Sequence, residues 1–387
     1  MTAGAPETMP AGPEPHGRRT VDFDLHGLAR IRLIEATPKD IAAVVRQVGP
    51  IEAPVRGVAD ITIRFVDEIP LHGPLRIVGL DMGGYTDDSF IVLRSKHKSQ
   101  GRVRIPLDEI GGRFEIECER GAAAVPQLIP ILNLTVLARG ALPLHASAFV
   151  IDGIGVAACG WSKGGKTETL LSFMRHGAQY VGDEWVYVTG DGKWLHGIPE
   201  PIRLWDWHLG QIPEYRSLVS RKDRAKLSTI GVLESVHRGL PRRARRRLPG
   251  VHAFDRVMTL LEGQRHVDPP AERLFGRERW VQQAPFDRLV FLGNAQVPDV
   301  RIQPIDPMEV AERMTFSHVH HRLGFLDYYW QYRYAFPDRP NRIVDEIESI
   351  ERQLLRQVFA NKRAFEVLHP HPVDIPGLFD AIRPHLG

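Results

Sequence analysis

The chain has 387 residues, enough for two domains or one large one, and its 43% hydrophobic and 25% charged residues are those of an ordinary folded protein. Fifty basic against 47 acidic residues leave a formal net charge of +3, which excludes a dedicated polycation and gives no charge argument for nucleic acid or an anionic membrane. The two cysteines, Cys118 and Cys159, stand in no paired spacing, which argues against a disulfide scaffold or a zinc cluster and makes a reducing cytoplasm the expected compartment.

In chain order, Met1 to Arg19 is rich in Pro, Gly, Ala and Glu and lacks the apolar core of a signal peptide, so residues 1–20 read as a disordered tail. Residues 21–140 read as a β-rich accessory domain of short alternating segments, among them Ile61 to Val66, Leu75 to Leu80 and Phe114 to Cys118. One helix is expected from Thr37 to Val48, where Ile41, Val44, Val45 and Val48 keep helical spacing behind a Thr-Pro start. The apolar stretch Ala122 to Leu144 is interrupted by Pro126, Gln127, Pro130, Asn133 and Arg139, so a buried helix followed by a strand is expected there, not a membrane span.

From residue 141 to 387 the grammar changes to strand, glycine-rich loop, helix, strand. Gly160-Trp161-Ser162-Lys163-Gly164-Gly165-Lys166-Thr167 fits GxxxxGK[ST] between a predicted strand and a predicted helix. Glycines let backbone N–H groups curve around phosphate oxygens at a helix N-terminus; Lys166 would neutralise the β- and γ-phosphates and Thr167 would hold Mg²⁺. The next apolar run, from Tyr180, ends in Asp183-Glu184, two carboxylates that can divide metal holding and proton acceptance between them. Taken alone such a pair is a solvated turn; beside a phosphate loop it is a candidate for chemistry.

These linked positions resemble the catalytic domain of the HPr kinase/phosphorylase family, whose nucleotide fold is similar to that of phosphoenolpyruvate carboxykinase. The resemblance rests on His145 in Leu144-His145-Ala146-Ser147, the loop ending Lys166-Thr167-Glu168-Thr169, His176-Gly177, and Asp183-Glu184, and it is close only over residues 143 to 190. It implies an α/β P-loop domain of that type behind the accessory domain, with ATP and Mg²⁺ as cofactors and transfer of the γ-phosphoryl group to a hydroxyl acceptor. Carried over, Asp183 is the general base, Lys166 and His145 are catalytic, and Gly160, Ser162, Lys163, Gly164, Gly165, Lys166, Thr167 and Glu168 hold the nucleotide. Thr167, Glu184 and Asp183 are the metal set. A buried structural histidine is the competing reading of His145.

The family's acceptor-binding signature is absent; Gly197 to His208 stands in its place, which argues against HPr as substrate and makes Glu200, Arg203 and Trp205 a candidate pocket wall. Residues 215–250 read as a mobile insertion ending in the basic cluster Arg242, Arg243, Arg245, Arg246 and Arg247; without interleaved aromatics this is a solvated loop, not a nucleic-acid grip. Ile343, Ile347, Ile350, Leu354 and Val358 trace one face of a C-terminal helix, against the core or a second copy in a homo-oligomer. A regulatory nucleotide-binding ATPase without an acceptor is the alternative function.

Overall fold

Alternation shows plainly in the strand Ile61–Val66, where Ile61, Ile63 and Phe65 are buried and the residues between them are not. The computed structural model describes residues 17–55, 57–79, 82–94, 100–239, 261 and 263–387. They belong to two units, Met1–Arg139 with Arg322–Ile347, and Gly140–His321 with Glu348–Gly387. The assignment of 322–347 to the first unit is a feature no pattern along the chain signals.

The first unit carries a mixed eight-stranded sheet. Its strands are β1 (Arg19–Leu25), β2 (Ala29–Ala36), β3 (Ile61–Val66), β4 (Arg76–Val78), β5 (Gly83–Tyr85), β6 (Phe90–Arg94), β7 (Gln100–Arg104) and β8 (Phe114–Glu119), in spatial order β1-β2-β3-β8-β7-β6-β5-β4. The helix Pro38–Val48 starts where the sequence places it, because Thr37 and Asp40 satisfy each other's backbone N–H groups in a capping box. The apolar stretch after residue 122 gives the helix Leu128–Ala138. Asn341, in the returning segment, is buried and donates to the carbonyls of Leu107 and Ile110 (both 2.9 Å), which fixes that segment to the unit.

The second unit is built on a nine-stranded mixed sheet. It comprises β9 (Leu142–Ile151), β10 (Ile154–Gly160), β11 (Gln179–Gly182), β12 (Trp185–Val188), β13 (Trp194–Gly197), β16 (Gln283–Pro285), β17 (Arg288–Asn294), β18 (Arg301–Pro304) and β19 (Arg363–His369). A separate ribbon pairs β14 (Leu204–Trp205) with β15 (His266–Val267). β10 lies between β9, antiparallel, and β17, parallel, and β17 is parallel to β19 in turn. Alternate residues of β10 enter two cores, Val156 and Ala158 on one side, Ala157 and Cys159 on the other, so both faces of the sheet are covered.

Three expectations are corrected here. The run from Tyr180 to Val188 is two strands, and the acidic pair lies at their junction instead of at the end of one; β9 pairs with β11 and then with β12, with a register shift within β11 between Tyr180 and Gly182. The expected insertion is helical through residue 239, as Pro213–Leu218 and Arg221–Gly239: Ser220 Oγ accepts from Asp223 N at the start of the second helix and donates to the Asp223 carboxylate, and Leu227 and Ile230 are buried. The arginine cluster 242–247 and the tail 1–16 lie outside the described residues. The expected C-terminal helix is two, Arg342–Asp345 and Ile347–Phe359, and the second turns Leu354, Leu355, Val358 and Phe359 into the core of its unit. Among the described residues no helix is long and apolar enough to cross a membrane.

Candidate functional site

The site is assembled at the C-terminal ends of the parallel strands, where loops leave an α/β sheet free to bind ligands. β10 ends at Gly160, the loop runs to Gly165, and the helix Lys166–Arg175 follows. The loop's course depends on glycine at two points. A Cβ at Gly160 would meet the carbonyl oxygen of Leu292 at 2.4 Å, and one at Gly165, whose φ is +100°, would meet His369 Nε2 at 2.3 Å. Neighbouring strand ends hold the loop from outside: Asn294, closing β17, donates to Lys163 O (2.9 Å), and His369, closing β19, bridges the carbonyls of Gly164 and Pro370 (3.0 and 2.9 Å).

Lys166 is buried, and its Nζ donates to Trp161 O (3.0 Å) and Gly160 O (3.5 Å). Burial pulls its pKa down, and the charges of Glu184 and Asp183 oppose that. Thr167 Oγ1 donates to Asp183 Oδ2 (3.0 Å), tying the loop helix to the acidic pair.

β9 carries the other half of the constellation. His145 and Ser147 are two residues apart on one strand and therefore share a face. The junction of β11 and β12 passes opposite them, with Ala146 N donating to Glu184 O (3.2 Å). Ser147 Oγ donates to Asp183 Oδ1 (2.5 Å), and His145 Nε2 lies 3.1 Å from Glu184 Oε2. Glu184 is a non-glycine residue at φ +64°, a left-handed conformation that strands and turns avoid without reason.

The two carboxylates are consequently unlike. Asp183 is 3% exposed, and burial together with the charge of Glu184 pushes its pKa up despite the bonds from Ser147 and Thr167. Glu184 is half-exposed, and the hydrogen bond from His145 pulls its pKa below the usual carboxylate range. Burial holds His145 down to about 4, so at neutral pH its imidazole is uncharged and donates Nε2–H to Glu184. Its Nδ1 is buried without a hydrogen-bond partner, with the ring of His321 at 3.7 Å between centroids.

A cavity of about 390 Å³ joins these groups. It is lined by Ser162, Lys163, Gly165 to Glu168, His145, Asp183, Glu184, Arg203 and Trp205, all expected at the site, and by Trp207, His208, Asn294, His321, His369, His371 and Val373. His208 connects two parts of the wall: its Nδ1 accepts from Trp205 N (3.3 Å), which leaves Nε2–H to donate to Glu168 (3.0 Å). Burial is the largest single influence on Glu168 and pushes its pKa up, but that bond, the attraction of the nearby histidines and a backbone hydrogen bond together leave it lowered.

Gly160 and Gly164 shape the loop from behind and do not line the cavity, and neither does Glu200. Glu200 is partly buried, its Oε1 fully so and unpartnered, and burial with the charges of Glu184 and Asp183 pushes its pKa well up. Trp161, at the loop's tip, is 51% exposed and stacks on His320 at 4.9 Å. Among the described residues no three His, Cys, Asp or Glu side chains are placed to hold an ion.

No family model matches this chain, and no curated protein matches it. Among solved structures, it is similar to the HPr(Ser) kinase/phosphatase from Coxiella burnetii, 13% identical over 63% of this chain and 95% of that one, with a TM-score of 0.25. What the chain itself displays is a mixed α/β architecture whose glycine loop, acidic pair and aromatic wall open into one cavity.

Proposed function

We propose that this chain is a Mg²⁺- and ATP-dependent phosphotransferase of the P-loop, HPr kinase-like type, moving the γ-phosphoryl group to a hydroxyl acceptor. The observation that carries the reading is the bond between Thr167 and Asp183, which brings the phosphate loop and the acidic pair into one cavity. The oxygen donors Thr167, Asp183 and Glu184 suit Mg²⁺, which is usually held by one or two carboxylates and completes its shell with substrate phosphates and water. Held by Thr167, Asp183 and Glu184, the ion would supply positive charge that neutralises charge developing on the transferred group.

The rest falls to the protein. Loop N–H groups and Lys166, released from the carbonyls of Gly160 and Trp161, receive the phosphate oxygens. Asp183, whose raised pKa brings it nearer to neutrality, takes the hydroxyl proton as the acceptor oxygen bonds to the γ-phosphorus and the bond to the β,γ-bridging oxygen breaks toward ADP. Glu184 stays ionised for the metal, oriented by the His145 imidazole. Most of the acceleration would come from positioned charge.

The test is transfer of γ-phosphate label from ATP in Mg²⁺, with purified protein and a host-cell extract, wild type against Lys166→Ala and Asp183→Asn. Label in a discrete product with wild type alone is expected, with Asp183→Asn still binding ATP. Label released only as free phosphate, at one rate with or without extract, would replace this reading by an acceptorless ATPase.

A further inference from the structure

The cavity contains one cation that the phosphate loop does not supply. Arg203 comes from the stretch between β13 and β14, lines the cavity, and lends its positive charge to Glu184. Its guanidinium uses only Nε, on Asp268 Oδ1 at 2.9 Å; among the described residues Nη1 and Nη2 make no hydrogen bond. Both partners are solvent-exposed, at 52% and 42%, and exposed pairs contribute at most about 1 kcal/mol, so the fork is held loosely enough to turn to a ligand. The planar fork with two free N–H edges matches a carboxylate or a phosphate, which it binds in bidentate fashion.

Size narrows the choice. Some 390 Å³ lies at the small end of ligand sites, and part of it belongs to the nucleotide's phosphates. Trp205 and Trp207 set flat apolar faces beside Arg203, leaving room for a compact body against them. We propose that Arg203 recognises an anionic group on the acceptor, so that the substrate is a small hydroxylated acid carrying a carboxylate or a phosphate. The inference rests on the phosphotransferase reading and adds to it the chemical class of the acceptor. The transfer step is the one above: the acceptor oxygen gains the phosphoryl group, ADP leaves with the bridging electron pair, and the proton goes to Asp183.

The full chain is tested with γ-labelled ATP, Mg²⁺ and the small-molecule fraction of a cell extract, the labelled product being resolved by anion exchange against neutral-alcohol phosphomonoester standards. The expected product elutes later than those standards, and hydrolysis by phosphatase under conditions that spare or remove a second phosphate separates the carboxylate case from the phosphate case. Arg203→Ala should raise the KM for acceptor at least tenfold while Mg²⁺·ATP affinity stays within twofold, and Arg203→Lys, which keeps charge but loses the fork, should fall between. A product that co-elutes with the neutral-alcohol standards, label found only in protein, or an Arg203→Ala loss of Mg²⁺·ATP affinity as large as its loss of transfer would each overturn the proposal. Label released only as free phosphate by wild type would overturn the phosphotransferase reading itself, and this one with it.

Discussion

Ser147→Ala isolates a single buried contact and gives it a pH signature. Ser147 is fully buried and its hydroxyl donates to Asp183 Oδ1. While Asp183 is ionised this is a charge-assisted bond contributing about 1.5–3 kcal/mol; once Asp183 is protonated it is a neutral bond of about 0.5–1.5 kcal/mol. The Asp183 pKa lies above its unfolded value because burial and Glu184 disfavour the anion. Between the two values the native state binds more protons than the unfolded chain, so stability falls as pH climbs through the raised pKa and is spared below the unfolded one. Losing the serine raises that pKa further. The destabilisation by Ser147→Ala should therefore be larger at pH 8 than at pH 4.5 by on the order of 1 kcal/mol. Urea unfolding of both proteins at the two pH values, read on the transition of the unit that holds residues 140–321, measures this difference. Equal destabilisation at both pH values, or a larger one in acid, would refute the argument that Asp183 is an anion held against its surroundings.

Other outcomes follow from the same geometry. Lys166→Met should lower phosphoryl transfer by about 10²–10³-fold, the scale for removing one preorganised group that stabilises transition-state charge, as measured by single-turnover label transfer. Transfer should rise with pH along a limb displaced above the ordinary carboxylate range, because Asp183 must lose its proton before it can accept one, and a limb at or below that range would contradict the base assignment. Gly165→Ala combines a φ of +100° with a Cβ 2.3 Å from His369 Nε2, so it should cost about 1–3 kcal/mol in urea unfolding and weaken Mg²⁺·ATP binding at least tenfold by calorimetry.

The strand, glycine loop and helix around Lys166 were legible because everything that shapes them is local: strand, glycines, Lys166 and Thr167 lie within one short run of sequence. The acidic pair was legible by its nearness to that run, though not its position between two strands, which depends on β9 changing partners. Asn294 and His369 were not legible, since they reach the loop across 131 and 205 residues. The available signal was modest: each is the polar residue that closes an apolar strand parallel to β10, where a binding loop is expected to gather its supports. The return of residues 322–347 to the first unit was equally hidden, because its anchor, Asn341, finds its carbonyl partners more than 230 residues away.

The parts of the cavity differ in how freely they can change. His145 and Ser147 lie on β9, and Asp183 and Glu184 lie at the junction of the two strands that pair with it, so their positions are set by the sheet. Arg203 precedes a short ribbon that holds Trp205, and Trp207 stands in the helix after it; all three lie outside the nine-stranded sheet, Arg203 exposed and Trp207 packed on the core. Under the proposed function, lineages descending from such a scaffold could exchange the acceptor wall without rebuilding the sheet beneath it, and laboratory libraries confined to residues 203 and 205 would explore that wall while leaving Trp207 on the core.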